Sequence, residues 1–129
     1  CAYLTNILRA AGLTVGCFTS PPVYSYSDQF YVNGRPPADG VLQSYLSYVR
    51  SAAEGMEDAP SQFETEVCAA LAMFAGEGCL WCVLECGLGG LYDATNAVSR
   101  KEIAVILSAR RHDRRLRHRK RRLQRRILN

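Results

Sequence analysis

The chain has 129 residues, 48% of them apolar, which is the composition of one globular domain that buries a core. It contains no run of about 18 to 20 apolar residues that could cross a bilayer and no signal peptide at its first residue, so we expect a cytoplasmic protein with no membrane partner. The charge is uneven: residues 1–107 hold five basic and eleven acidic groups, and residues 108–129 hold eleven basic and one acidic. A domain over 1–107 and an arginine-rich tail over 108–129 are therefore treated separately.

The cysteines could indicate a disulfide framework or a metal site. Three of them, Cys79, Cys82 and Cys86, have a spacing close to that of zinc ligands, but no second pair of ligands follows. Most of the cysteines lie inside apolar runs. We therefore predict buried, reduced thiols.

Helix and strand signals alternate from the first residue. Residues 1–11 are predicted to be helical up to Gly12, and the apolar run 13–18 is predicted to be a buried strand. A long loop is predicted over 19–39, with several tyrosines and an Asn33-Gly34 turn pair. Loops of this length in compact domains are usually functional or disordered.

Two amphipathic helices follow, over residues 39–54 and 61–75, on the basis of their helical spacing of apolar positions. The runs 79–86 and 103–107 are apolar with almost no alternation, which is typical of parallel strands covered on both faces. This order of elements predicts an α/β fold with a mostly parallel sheet.

Polar residues stand at the ends of the predicted strands, where α/β sheets bind ligands. Ser20 follows the first strand, Glu85 closes the second, and a glycine turn leads from there to Asp93. A carboxylate at the end of an apolar strand costs several kcal/mol to bury unless it is paired, and a Mg²⁺ ion would satisfy it. Each feature also has a structural interpretation: the glycines as a strand exit, Ser20 as a turn hydroxyl, and Glu64 as a favourable charge at a helix start.

Residues 1–21, 61–74 and 83–96 resemble, in order and with natural spacing, signatures of dihydrofolate synthase/folylpolyglutamate synthase in the Mur ligase superfamily. The resemblance covers residues 1 to about 107 and implies a central ATP-binding domain of P-loop type with three layers. Such ligases use ATP and Mg²⁺ to join L-glutamate to dihydropteroate or to a folate through an acyl phosphate. The segment 61–64 and the run 93–96 favour folate over the cell-wall precursors of other Mur ligases.

The resemblance also implies site residues. Ser20 and Glu85 would be Mg²⁺ ligands, and no catalytic side chain is assigned. The pterin site would be lined by Gln62, Phe63, Glu64, Leu91, Tyr92 and Asp93. The intact enzyme would act as a monomer.

Several family features are replaced or absent here. The glycine-rich phosphate loop and first strand would precede Cys1, Pro22 stands in place of a histidine, Asp28-Gln29 in place of a Glu-Arg pair, and Leu91 in place of an arginine. We therefore predict a truncated domain that is inactive alone, marginally stable, and exposes apolar surface.

The tail has three interpretations. It could bind nucleic acid phosphates as a basic arm on a non-catalytic α/β remnant, or it could be a solvated tail. It could also be out-of-frame sequence, because the resemblance stops near residue 107 and His112-Asp113 reverses the family's metal-binding pair. The out-of-frame interpretation is favoured, and a nucleic acid partner is not expected.

Overall fold

A computed structural model of the chain describes residues 1–98. These residues form helices α1 (Ala2–Ala10), α2 (Asp39–Ala53) and α3 (Gln62–Gly76), and strands β1 (Val15–Phe18), β2 (Phe30–Val32) and β3 (Trp81–Leu84). Short 3₁₀ helices cover Tyr26–Gln29 and Ala94–Ala97. The predicted α/β class is confirmed.

Two compact units divide the chain, Cys1–Glu85 and Cys86–Asn129. All the strands named above belong to the first unit. The predicted strand at 103–107, the domain boundary at 107 and the basic tail lie outside the described residues.

The sheet has the order β2-β1-β3. β1 and β3 run parallel, with Val15 opposite Trp81 and Phe18 opposite Leu84. β2 pairs antiparallel with β1, so the sheet over residues 1–98 is mixed. The prediction of an unbroken loop over 19–39 is wrong, because a three-residue strand is too short to show a periodic pattern in sequence.

The turn after β2 ties that strand to the start of β1. Asn33 has a φ of 51° and Gly34 a φ of 75°, values that Asn and Gly adopt more readily than other residues. The Asn33 side chain accepts a hydrogen bond from the Val15 N–H (2.9 Å), and the Asn33 N–H donates to the Val15 carbonyl (2.8 Å). The turn therefore fixes the register of the antiparallel pair.

The two faces of β1 are covered by different helices. Val15 and Cys17 are buried in a cluster against which Leu4 and Leu8 of α1 pack. On the alternate positions, Gly16 lies so close to the Phe74 ring of α3 that a Cβ has no room. Because side chains alternate across a strand, the sheet is sandwiched between α1 and α3.

Helix α2 packs on α3 on the outer side of that layer. Leu42 and Leu46 of α2 are buried, and the Tyr45 hydroxyl meets Gly76 of α3, where a larger residue would collide. The largest fully buried side chains are Phe18, Phe30, Phe74, Met73, Val15 and Val67. None of the described helices is both long and apolar enough to cross a membrane.

The prediction of buried thiols is wrong for most cysteines. Cys17 is buried, Cys79 is partly exposed, and the other four, Cys1, Cys68, Cys82 and Cys86, are exposed; none of the six forms a disulfide bond. Cys82 is exposed because it alternates with the buried Val83, so β3 is not covered equally on both faces. Apolar side chains at Tyr3, Ile7 and Leu80 are also well exposed.

Candidate functional site

Ser20 and Glu85 meet at the carboxyl ends of two parallel strands. β1 ends at Phe18 and β3 at Leu84, and these two residues are partners in the ladder. The Glu85 N–H donates to the Phe18 carbonyl (2.9 Å), which continues the pairing by one residue. The Ser20 N–H then donates to Glu85 Oε2 at 3.0 Å, so the structure brings the two predicted magnesium ligands together.

The donor set at this edge suits a hard cation. Glu85 is partly buried, and among residues 1–98 its only side-chain hydrogen bond is the one from Ser20. Carboxylate and hydroxyl oxygens are the ligands that Mg²⁺ and Mn²⁺ accept. No three His, Cys, Asp or Glu side chains of the described residues form a metal-binding group.

The segment after Ser20 is held by Asp28. Its carboxylate accepts from the N–H groups of Tyr24 and Ser25 (2.9 Å each) and from the Ser25 hydroxyl (3.0 Å). Hydrogen bonds from the Ser25 and Tyr24 backbone lower the pKa of Asp28. Asp28 therefore stabilises this loop, in which Tyr24 is 95% exposed.

The start of α3 carries three predicted substrate residues. Ser61 and Glu64 cap the helix reciprocally: the Ser61 N–H donates to Glu64 Oε2 (2.8 Å) and the Glu64 N–H to the Ser61 hydroxyl (3.3 Å). Hydrogen bonds from the Ser61 side chain and backbone lower the pKa of Glu64. Phe63 is partly buried, with its ring centroid 5.9 Å from that of Phe18, and Gln62 is exposed.

Glu66 and Tyr26 also lie at the start of α3 and beside it, and the sequence patterns did not indicate either of them as a site residue. Glu66 is 5% exposed, and its Oε1 accepts from the Tyr26 hydroxyl (2.9 Å) and from Gln62 Nε2 (2.8 Å). Burial, followed by the bond to Glu66, raises the pKa of Tyr26 to about 12. An acidic residue three positions after Phe63, on the apolar side of the helix, is the sequence signal that could have indicated Glu66.

The remaining predicted residues belong to the second unit. Asp93 is buried, and it accepts from the Leu88 N–H (2.7 Å) and from the N–H and hydroxyl of Thr95 (3.0 and 2.6 Å). Burial alone would raise the pKa of Asp93, but hydrogen bonds from Thr95, Leu88 and Cys86 outweigh it and lower the pKa. Leu91 is partly buried and Tyr92 is 78% exposed on the same turn.

Comparison with known proteins gives a consistent result, although the chain matches no family model. It is 33% identical over 102 residues to dihydrofolate synthetase of Saccharomyces cerevisiae, covering 76% of this chain and 23% of that protein. A bifunctional folylpolyglutamate synthase/dihydrofolate synthase with Mn, AMPPNP and L-glutamate bound aligns at a TM-score of 0.74 and 27% identity, over 86% of this chain and 29% of that one. Escherichia coli FolC in complex with DHPP and ADP aligns at a TM-score of 0.72 and 33% identity, over 76% and 23%.

The chain spans about a quarter of the length of these relatives. The matches nonetheless cover most of its own length, and sequence and fold agree. Over most of its length the chain is therefore a homologue of the dihydrofolate synthase/folylpolyglutamate synthases, and this is consistent with the Mur ligase superfamily.

Proposed function

We propose that this chain is part of an ATP-dependent ligase that adds L-glutamate to dihydropteroate or to a (tetrahydro)folate through an acyl phosphate. The observation that carries the proposal is the convergence of Ser20 and Glu85 at the carboxyl ends of β1 and β3, joined by a 3.0 Å hydrogen bond. Ligands of open α/β sheets bind at this edge. Relatives solved with Mn and AMPPNP, or with ADP, make a nucleotide the fitting ligand.

Ser20 and Glu85 would hold Mg²⁺ at this edge, as their oxygen donors permit. When bound, the cation would neutralise phosphate charge during formation of the acyl phosphate. Glu85 supplies the negative charge that attracts it. The hydrogen bond from the Ser20 N–H fixes the orientation of the carboxylate before any ligand arrives.

The proposed substrate residues offer groups that suit a pterin. In the first unit, Phe63 provides an aromatic face, and Gln62 and Glu64 provide hydrogen-bonding groups. In the second unit, Tyr92 provides an aromatic face. In the described residues Glu64 uses only Oε2 for its cap, which leaves its second oxygen for a ligand. Both oxygens of Asp93 are engaged by its own turn, so we assign it the role of shaping the turn that carries Leu91 and Tyr92.

We expect the chain alone to have no ligase activity, because it spans about a quarter of its relatives. A monomeric state, a cytoplasmic location and the absence of a nucleic acid partner remain predictions.

The test is a chimera in which residues 1–98 replace the matching segment of Escherichia coli FolC. We expect ATP-dependent incorporation of labelled glutamate into dihydropteroate or folate, and a fall of at least about 100-fold when Glu85→Gln removes the cation-binding charge. The matched control is Glu77→Gln, which neutralises an exposed carboxylate at the end of α3.

A chimera that is soluble and binds nucleotide but transfers no glutamate would contradict the proposal. Equal activity of the Glu85→Gln and Glu77→Gln chimeras would contradict the role of Glu85.

A further inference from the structure

A buried carboxylate lies next to the proposed substrate residue Gln62 on α3. Glu66 is 5% exposed, one turn along α3 from Gln62. Burying a carboxylate is costly unless hydrogen bonds compensate. In this structure two donors from different elements, Tyr26 and Gln62, compensate it at the same oxygen.

The bond to Glu66 determines which way round the Gln62 amide lies. A carboxylate only accepts hydrogen bonds, so the Nε2 end of the amide must face Glu66, at 2.8 Å. The carbonyl Oε1 is therefore turned away from Glu66. Because Gln62 is exposed, its Oε1 is available to a ligand as an acceptor.

A series of aromatic contacts also links Tyr26 to Phe63 at the start of α3. The Tyr26 ring is 5.9 Å from Phe30, Phe30 is 5.4 Å from Phe18, and Phe18 is 5.9 Å from Phe63. The hydroxyl of Tyr26 returns to Glu66. Polar and aromatic contacts thus fix Gln62 and Phe63 together at the helix start.

We propose that Glu66 is a positioning residue for substrate recognition, which holds the Gln62 amide so that its carbonyl accepts a hydrogen bond from an N–H group of a pterin-type ligand. This inference rests on the proposed function and adds the chemistry by which the ligand is recognised. A pterin ring carries amino and ring N–H donors on one edge, and a fixed acceptor discriminates in favour of such an edge.

The test exchanges the amide of Gln62 and the carboxylate of Glu66. Gln62→Glu places a second carboxylate against Glu66, and the like charges repel each other. Adding Glu66→Gln restores one N–H donor between the two residues and leaves a carboxylate oxygen of residue 62 facing outward. Dihydropteroate binding to the full chain is measured by isothermal titration, with far-UV circular dichroism as the check of folding. The matched control is Gln43→Glu, which adds the same charge to an exposed position of α2.

We expect Gln62→Glu to weaken binding about tenfold, and Glu66→Gln alone to weaken it about fivefold, because a glutamine at residue 66 can donate as well as accept and no longer fixes the Gln62 amide. The exchanged pair should recover to within about threefold of the unsubstituted chain. We expect Gln43→Glu to bind unchanged. If the exchanged pair binds no better than Gln62→Glu, the inference is overturned while the proposed function stands. If the unsubstituted chain does not bind dihydropteroate, the proposed function and this inference fail together.

Discussion

Glu85 and Asp93 are acidic residues of neighbouring segments, and their surroundings differ sharply. Glu85 follows an apolar strand and, within residues 1–98, its carboxylate receives one hydrogen bond, from the Ser20 N–H. Asp93 is buried in a glycine-rich turn and receives three, from Leu88 and Thr95, besides its interaction with the Cys86 thiol. A carboxylate saturated by its own chain stabilises a turn, whereas one with unused lone pairs can bind a cation.

Glu64 shows an intermediate arrangement. Its Oε2 accepts from the N–H and hydroxyl of Ser61, so one oxygen caps α3 and the other is available to a ligand. Among residues 1–98 the number of hydrogen bonds received falls in the order Asp93, Glu64, Glu85, and we propose that this order runs from structural to ligand-binding. The experiments below test that order, beginning with the largest effect.

The largest loss of local stability is expected when Asp93 is substituted. Asp93→Ala removes the acceptor of the Leu88 and Thr95 N–H groups, and we expect the free energy of local opening to fall by about 2 kcal/mol. Hydrogen exchange at the Thr95 amide measures this. Glu85→Ala is the control and should leave that amide unchanged, while undiminished protection in Asp93→Ala would contradict the structural role.

Lowering the pH should reproduce part of the loss of local stability expected for Asp93→Ala. Hydrogen bonds hold the pKa of Asp93 below its usual value, so the ionised group contributes stability that is complete above the ordinary carboxyl range near pH 4 and is lost as the pH falls through the lowered pKa. Thr95 amide exchange, corrected for its intrinsic rate, should therefore speed up below about pH 4. Asp93→Asn does not titrate at this position, and an identical acid dependence in that variant would exclude Asp93 as the source.

Loss of the α3 cap should have a smaller effect. Ser61→Ala removes the side chain that accepts from the Glu64 N–H, and we expect a decrease of about 1 kcal/mol in the free energy of unfolding. Urea denaturation measures it, with Ser47→Ala on the exposed face of α2 as control. Equal stability of the two variants would show that the reciprocal cap contributes little.

The smallest effect on stability is expected at Glu85. Glu85→Gln keeps an oxygen that can accept from the Ser20 N–H, so the free energy of unfolding should change by less than about 0.5 kcal/mol in urea denaturation. A loss comparable to that of Ser61→Ala would indicate that Glu85 is a structural residue.

Sequence patterns predicted the elements that carry long periodic signals. The helices expected at 39–54 and 61–75 form as Asp39–Ala53 and Gln62–Gly76. The meeting of Ser20 with Glu85 was also predictable, because the carboxyl ends of parallel strands share an edge.

Short strands and contacts between residues far apart in the sequence were not predictable. β2 has three residues and pairs with β1 through a turn, so it gives no periodic signal of its own. The burial of Glu66 depends on Tyr26, 40 positions away, and such contacts are created only by the fold. The engagement of both Asp93 oxygens likewise follows from the backbone path of its turn.

The role of Glu85 is tested most directly by Mn²⁺ titration of the full chain, followed by paramagnetic broadening of amide NMR signals. We expect broadening centred on Ser20 and Glu85, stronger when an ATP analogue supplies phosphate oxygens, and abolished by Glu85→Gln but not by Glu77→Gln. Broadening that is absent at Ser20, or that persists unchanged in Glu85→Gln, would show that this edge of the sheet is not a cation site.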